Sequence, residues 1–166
     1  VPEHEELPER LAAVLDAIYA VYTKGWNEMG DHAIRELADE AIWLGRLIVC
    51  LLPGEPEAKG MLALMFYTAA RRAARRDAAG AYVPLEQQDT SLWDGAQVAL
   101  AENLLHQANA AGPSGRYQLE AAIQSAHVVR RLTGIANWPA VVALYDHLLA
   151  LTSSPVVILN RAVARA

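Results

Sequence analysis

The charged residues best placed to do chemistry lie in the stretch "ARRAARRDAAGAYVPLEQQDTSLWD", residues 70–94. Four arginines end the apolar helix that precedes it: Arg71, Arg72, Arg75 and Arg76. Arginine suits bidentate recognition of phosphate, so a phosphate or nucleic-acid site is one interpretation. Four acids follow closely: Asp77, Glu86, Asp89 and Asp94. Because the chain has a net charge of −5, we instead predict that the arginines pair with these acids.

We expect this region to form a polar network that joins two helices, with its exposed members as partner contacts. The predicted set is Arg71, Arg72, Arg75, Arg76, Asp77, Gln88, Asp89, Trp93 and Asp94. A second set of polar residues interrupts helical apolar patterns: Tyr117, Gln118, His127, Asn160 and Arg161. Hydrogen bonding between helices is the favoured role for this second set, with partner contact as the alternative. His127 is interpreted as a core histidine rather than a catalytic base.

Metal and catalytic interpretations have little support in the sequence. Glu102 and His106 are four residues apart on one helix, a spacing that can bind a metal, but neither an HExxH motif nor a second His pair accompanies them. Cys50 lies in the apolar run "LIVCLLP" and is predicted to be a buried, inert thiol. The sequence therefore predicts no catalytic residue, no metal site and no cofactor, and hence no enzyme.

The elements that position these residues are predicted to be helices, because apolar residues recur at intervals of three and four along almost the whole chain. We predict an all-α bundle of about seven helices with a short extended loop around residues 80–86. The second helix should span about 33–52, with Leu37, Ala41, Leu44, Ile48 and Leu51 facing inward. Asp89 or Thr90 should cap the fourth helix.

The composition indicates one domain with a substantial core, since 54% of the residues are apolar. The most apolar segment, 42–52, is too short to span a bilayer and carries Arg46, so we interpret it as a buried core helix and expect no membrane association. A single cysteine and the lack of a secretory leader favour the cytoplasm. The chain stops inside the periodic segment "VVILNRAVARA", so we expect it to be a piece of a longer protein.

Several stretches resemble the C-terminal extension of bacterial extracytoplasmic-function sigma factors: "LPERLAAVLDAIYAVYTKGW", "LADEAIWLGRLIVCLLPGEPEAKGMLALM", "ARRAARRDAAGAYVPLEQQDTSLWD", "RYQLEAAIQSAHV" and "NWPAVVALYDHLLAL". The resemblance covers nearly the whole chain. It implies a helical sigma-factor-associated domain over 1–133. It also implies the beginning of a tetratricopeptide-like (TPR-like) repeat region over 134–166, packed on the first part as one unit.

The resemblance implies a regulatory role through contacts with the N-terminal sigma regions of the parent chain or with RNA polymerase. Promoter DNA would be contacted only through regions absent from this sequence. Exposed apolar faces of an incomplete repeat would also allow self-association. The alternative function is a small-ligand sensor, whose pocket would be lined by aromatic residues: Tyr19, Tyr22, Trp26, Trp43, Tyr67 and Trp93.

Overall fold

Helices account for nearly all regular structure in the computed structural model, which describes residues 7–27 and 32–165. They are α1 (Leu7–Asn27), α2 (His32–Leu51), α3 (Pro56–Ala69), α4 (Gly95–Ala111), α5 (Arg116–Thr133), α6 (Trp138–Thr152) and α7 (Pro155–Arg165). The described residues form no β-strand, and an isolated bridge joins Arg76 to Tyr82, which lies in the predicted extended loop. The prediction of an all-α bundle of about seven helices is confirmed.

Capping residues explain where several helices begin and end. Glu55 precedes α3, and its side chain accepts a hydrogen bond from the N–H of Glu57 at 3.2 Å, with a proline at the first helical position. Asn137 caps α6 in the same way, accepting from the N–H of Ala140 at 3.2 Å. Gly134 ends α5 in the left-handed conformation, with φ 74°, where a residue without a Cβ is favoured.

The predicted start of the fourth helix is wrong. Asp89 caps a short 3-10 turn, Thr90–Leu92, and α4 begins after Asp94. Both aspartates are good N-cap residues, and each accepts hydrogen bonds from the backbone N–H groups that follow it. The sequence offers two acceptable starts a few residues apart, and the chain uses one for a turn and the other for the helix.

Helix α3 lies at the centre of the main core. Every residue from 60 to 67 is buried, because α1, α2, α4 and α5 all pack around this helix. The main core includes Leu15, Ile18, Tyr22, Ala41, Met61, Met65, Phe66, Tyr67, Ala101, Leu105 and Tyr117. The arginine-rich stretch therefore begins at the point where the central helix leaves the core.

Helix α2 is more exposed than the sequence predicted. Leu37 and Leu51 were expected to face inward, but Leu51 is 64% exposed, and Cys50 is exposed rather than buried. The helix lies at the edge of the bundle, so only one of its faces is covered. Its inward face includes the fully buried small residues Ala38 and Ala41, which let it lie close to its neighbours. In the described part of the chain, no helix combines the length and the apolar character needed to cross a bilayer.

A second, smaller core joins α5 to the last two helices. Leu119 and Ile123 of α5 pack with residues of α6, including Tyr145, while Val157 and Ala164 of α7 lie against this cluster. Since α5 also contributes Tyr117, Ala121 and Val128 to the main core, one helix belongs to both cores. The predicted boundary at 133–134 falls in the turn between α5 and α6, and the two-part division stays a prediction.

Candidate interaction site

The three aspartates of residues 77–94 bind backbone groups in the structure. Asp94 caps α4, with its Oδ1 accepting hydrogen bonds from the N–H groups of Ala96 at 3.0 Å and Gln97 at 3.1 Å. The Gln97 hydrogen bonds favour the charged carboxylate and lower the pKa of Asp94. The Asp94 N–H donates to the Ala70 carbonyl at 2.9 Å, which ties the start of α4 to the end of α3.

Two further acids stabilise tight turns. The carboxylate of Asp77 accepts from the N–H groups of Ala79 at 2.9 Å and Ala81 at 2.8 Å. Asp89 accepts from the N–H of Ser91 at 2.9 Å. Aspartate side chains commonly bond to nearby backbone donors in this way, since the short side chain reaches them with little loss of freedom.

Arg71 extends toward another helix, and Arg75 stacks on a ring. Arg71 donates from Nε to the Tyr67 carbonyl at 3.2 Å and from Nη2 to Oε1 of Gln124 on α5 at 2.8 Å. Burial lowers the pKa of Arg71, and the neighbouring Arg75 lowers it further. The Arg75 guanidinium lies 5.5 Å from the centre of the Tyr82 ring.

The remaining two arginines differ in their reach. Arg72 forms a salt bridge with Asp39 of α2, with 2.8 Å between Nη2 and Oδ1. Arg76 is exposed and donates to the Gly80 carbonyl at 2.7 Å, which closes the local turn. Among the residues that the structure describes, no salt bridge joins the four arginines to Asp77, Glu86, Asp89 or Asp94. The predicted pairing is therefore wrong, because backbone donors occupy the aspartates and Glu86 pairs elsewhere.

Gln88 and Trp93 lie inside the molecule. Gln88 is buried, and its Nε2 donates to the Val83 carbonyl at 3.1 Å. The backbone carbonyl of Gln88 accepts a hydrogen bond from Nη2 of Arg131 on α5 at 2.8 Å. Trp93 is also buried and joins the main core. The loop between α3 and α4 is thus fastened to α5 as well as to its flanking helices.

His127 lies in a cationic and aromatic cluster on α5. Its ring meets Trp138 edge to face at 6.4 Å between centroids, and the Arg130 guanidinium lies 4.9 Å from the Trp138 ring centre. Arg130 also pairs with Glu86. Burial, followed by the charges of Arg130 and Arg71, lowers the pKa of His127. This environment suits a neutral, packed histidine.

The start of α5 is fixed by a residue that the sequence analysis did not single out. Glu57 of α3 accepts hydrogen bonds from the N–H groups of Tyr117 at 3.0 Å and Gln118 at 3.1 Å. The Tyr117 hydroxyl donates to Asp16 of α1 at 2.6 Å. Gln118 Oε1 accepts from the Gly115 N–H at 3.0 Å. Glu57 thus provides, from another helix, the carboxylate that favours the N-terminus of α5.

Two glycines allow this contact between α3 and α5. A Cβ at Gly60 would lie 2.7 Å from the backbone nitrogen of Gln118, and one at Gly115 would lie 2.3 Å from the Glu57 carboxyl carbon. The sequence carried a signal at Gly60, since a glycine inside a helical pattern costs stability and therefore suggests a packing reason.

The other predicted polar residues form side-chain contacts between helices or are exposed. Arg161 of α7 pairs with Asp146 of α6, and Asn160 is exposed. Glu102 accepts a hydrogen bond from the Ser125 hydroxyl at 2.7 Å, while His106 is exposed. No group of three or more His, Cys, Asp or Glu side chains in the described residues is placed to hold a metal ion.

An open groove of about 600 Å³ lies between α2, the end of α3 and the start of α4. Its lining includes Ile42, Trp43, Arg46, Phe66, Arg72 and Leu92. Arg72 is held there by Asp39, and the Arg46 guanidinium lies 5.1 Å from the centre of the Phe66 ring. The sequence contained a signal for this site, because Trp43 and Arg46 are three apart on one helical face.

Among the described residues, the predicted aromatic set is divided between the main core and the groove. Tyr22 and Tyr67 are buried in the main core, and the Tyr22 hydroxyl donates to the Met65 carbonyl at 3.0 Å. Tyr19 is partly buried and stacks on Tyr22. Among the described members of the predicted aromatic set, Trp43 lines the groove. The side chain of Trp26 lies outside the described part of the chain.

Fold and site together define an all-α helical bundle in which polar residues cap and join helices beside a surface groove. The chain belongs to a family of unknown function, DUF6596, which matches residues 10–109. An uncharacterized protein of Rhizobium meliloti (strain 1021) is 40% identical over 165 residues, which are 98% of this chain and 39% of that protein. The chain therefore spans less than half the length of that relative. No solved structure matches the chain.

Proposed function

We propose that this chain is a regulatory protein-interaction domain of an extracytoplasmic-function sigma factor. It modulates transcription initiation by contacting the sigma regions of its parent protein or RNA polymerase. The proposal rests on the sequence resemblance described above, and the structural observation that carries it is the exposed apolar surface of α7.

Helix α7 contains no buried residue, although Val, Ile and Leu side chains recur along it. Four of its side chains have more than half of their surface exposed: Val156, Ile158, Leu159 and Val163. Contiguous apolar surface of this kind is typical of protein contacts. Paired helices of the TPR type also bury their faces by stacking on neighbouring elements. We therefore expect a protein partner to bind to this surface.

The acidic charge of the chain supports a second aspect of the proposal. A domain with a net charge of −5 attracts basic surfaces and repels nucleic acid. When attached to basic DNA-binding regions, it would shield them in cis until polymerase or another partner displaces it. Screening by salt should weaken such shielding.

Deletion of this domain from its full-length parent tests the proposal. We expect the deletion to change both promoter-specific transcription in a purified system and the affinity of the protein for core polymerase. A matched pair of point variants refines the test: Leu159→Glu places a charge on α7, whereas Ile135→Glu places it at a 72% exposed position in the turn before α6. Unchanged transcription and polymerase affinity after the deletion would refute the proposal.

A small-ligand sensor is the second candidate function, and the groove volume of about 600 Å³ favours it. This volume lies within the range of ligand pockets, about 300–1,000 Å³, and charged groups converge on it. Benzoate and indole-3-carboxylate are suitable probes, because each pairs an aromatic ring with a carboxylate that Arg46 can bind. A rise in melting temperature that Trp43→Ala abolishes would support the sensor. Melting curves that neither probe changes would count against it.

A further inference from the structure

We infer that the groove between α2, the end of α3 and the start of α4 binds an amphipathic helical segment of a protein partner, with a carboxylate of that segment on Arg46. The inference rests on the protein-interaction role proposed above and names the chemistry of the partner. It concerns a surface separate from α7.

The shape of the groove suits a helix. One wall is a single face of α2, formed by Asp39, Ile42, Trp43 and Arg46 at spacings of three and four. At 1.5 Å per residue, this wall is about 10 Å long, or about two helical turns. The floor includes small side chains at the end of α3, Ala69 and Ala70 among them. Small floor residues let a second backbone approach closely, as in helix-in-groove recognition.

The groove carries apolar anchors on its two sides. Trp43 on α2 is 56% exposed, and Leu92 in the 3-10 turn before α4 is 51% exposed. Between them lies Phe66, which is only 4% exposed and forms part of the apolar floor. Covering Trp43 and Leu92 would remove apolar surface from water, which is the main source of affinity at such contacts. A partner with an apolar stripe fits this arrangement.

Charge complementarity identifies the polar part of the partner. Arg72 is neutralised by Asp39, and the Asp94 carboxylate is engaged by the N–H groups at the start of α4. Within the described residues, Arg46 makes no salt bridge, and its guanidinium is held over Phe66. A planar guanidinium next to apolar surface favours a bidentate carboxylate. The partner segment should therefore carry Glu or Asp next to its apolar stripe.

The same charges disfavour a nucleic-acid occupant. A phosphate backbone would bring repeated negative charge to a groove that already contains Asp39 and Asp94. The whole chain, with a net charge of −5, would oppose it as well. One carboxylate on an apolar helix matches Arg46, which has no salt bridge among the described residues, whereas a polyanion does not.

Two phage-displayed peptide libraries on a helical scaffold provide the test. Both randomise the apolar stripe, and they differ only in whether one flanking position is Glu or Lys. We expect selection on the intact chain to enrich the Glu library. The Arg46→Glu variant should enrich the Lys library instead. The best Glu peptide, followed by fluorescence anisotropy, should bind Arg46→Glu at least about tenfold more weakly, because like charges then face each other.

Matched variants separate the groove from general surface effects. Trp43→Ala should abolish enrichment, whereas Ile135→Ala changes another exposed apolar side chain and should leave binding intact. Arg165→Glu reverses an exposed arginine on α7 and controls for net charge. The charge exchange, in which a Lys peptide binds Arg46→Glu, shows that a folded groove persists in that variant.

Several results would overturn the inference. These are no saturable peptide binding, equal enrichment of the two libraries, or binding that Trp43→Ala leaves unchanged. Binding of benzoate without any peptide would assign the groove to a small ligand. A dimer that Trp43→Ala dissociates would assign it to a second copy of the chain. In each case, an altered transcription after domain deletion would still support the regulatory role, so the two failures can be distinguished.

Discussion

Glu57 illustrates how much one side chain contributes to the joining of two helices. Its two carboxylate oxygens accept hydrogen bonds from the backbone N–H groups of Tyr117 and Gln118. These N–H groups lie in the first turn of α5, where a helix offers them no acceptor. Burial raises the pKa of Glu57, because desolvation disfavours the charged carboxylate. The hydrogen bonds from α5 partly offset that cost.

Removal of this carboxylate should destabilise the fold. We expect Glu57→Ala to lower the free energy of unfolding by roughly 1–3 kcal/mol, because two N–H groups lose their acceptor. Glu57→Gln keeps one acceptor oxygen and should have an intermediate effect. Urea unfolding measures both, with Glu40→Ala on the exposed face of α2 as the control. Equal stability of Glu57→Ala and Glu40→Ala would contradict the assigned role.

His127 makes stability depend on pH in a defined direction. Its pKa lies below the ordinary value of 6.5 because burial penalises the imidazolium and Arg130 and Arg71 repel it. The unfolded chain therefore takes up a proton at a higher pH than the folded chain does. The contribution of His127 to stability is complete above pH 6.5 and is lost as the pH falls through the lower, folded pKa.

The expected result is a stability difference between the wild type and His127→Gln that changes with pH. On going from pH 8 to pH 5, the wild type should lose stability relative to this variant, since glutamine does not titrate. Chemical unfolding at each pH gives the two free energies. The control variant His106→Gln alters an exposed histidine of α4. Its stability should change with pH in the same way as that of the wild type. Parallel pH profiles for the wild type and His127→Gln would disprove the burial argument.

At the scale of elements, the contact between α3 and α5 depends on glycine. A methyl group at Gly60 would meet the backbone of Gln118, which cannot move without shifting α5. We expect Gly60→Ala to cost about 1–3 kcal/mol, the usual effect of overpacking. Gly95→Ala is the matched control, because its Cβ meets nothing within 4 Å. Thermal unfolding should therefore show a lower melting temperature for Gly60→Ala alone, and similar melting of both variants would exclude the close packing.

The end of α3 is joined to α5 by one arginine in particular. Arg71 reaches Gln124 across the helix interface, whereas Arg76 bonds to the Gly80 carbonyl within its own turn. We expect Arg71→Ala to lower the unfolding free energy by about 1.5–3 kcal/mol, the range for hydrogen bonds to a charged group. Arg76→Ala should stay within about 0.5 kcal/mol. Thermal unfolding should give a lower melting temperature for Arg71→Ala than for Arg76→Ala. The reverse order would show that the turn at Gly80 contributes more to stability than the Arg71–Gln124 contact.

The helices could be predicted because the spacing of apolar residues is a local property of the sequence, and prolines, glycines and capping residues mark the helix ends. The polar partners could not be predicted, since the pairs Arg72–Asp39 and Arg130–Glu86 join residues 33 and 44 positions apart. An aspartate beside a helix start has backbone donors in reach, so it does not need an arginine that is near only in sequence. Exposure of Leu51 and Cys50 was also hidden, because the sequence does not say that α2 lies at the edge of the bundle.

At the scale of the whole molecule, the apolar surface of α7 should favour self-association in the absence of a partner. We expect sedimentation velocity to show oligomers that increase with concentration. Leu159→Glu should shift the chain toward monomer, because a charge in an apolar contact is costly. Ile135→Glu carries the same charge at an exposed position outside α7 and should not do so. A monomer at all concentrations, or equal effects of both variants on the oligomeric state, would argue against self-association through α7.

The two cores share α5, so changes at one end of the chain can reach the other through a single helix. Glu57, Arg71 and Arg131 all fasten this helix to the main bundle. Helices α6 and α7 are thus connected to the main bundle through α5.

Calorimetric titration of the purified chain with separately expressed sigma regions of its parent, and with core RNA polymerase, tests the regulatory proposal most directly. The proposal predicts saturable binding to at least one of them, weakened by Leu159→Glu or Arg46→Glu and unaffected by Ile135→Glu. Absence of heat with either partner at the highest soluble concentration, for a chain that unfolds cooperatively, would contradict it.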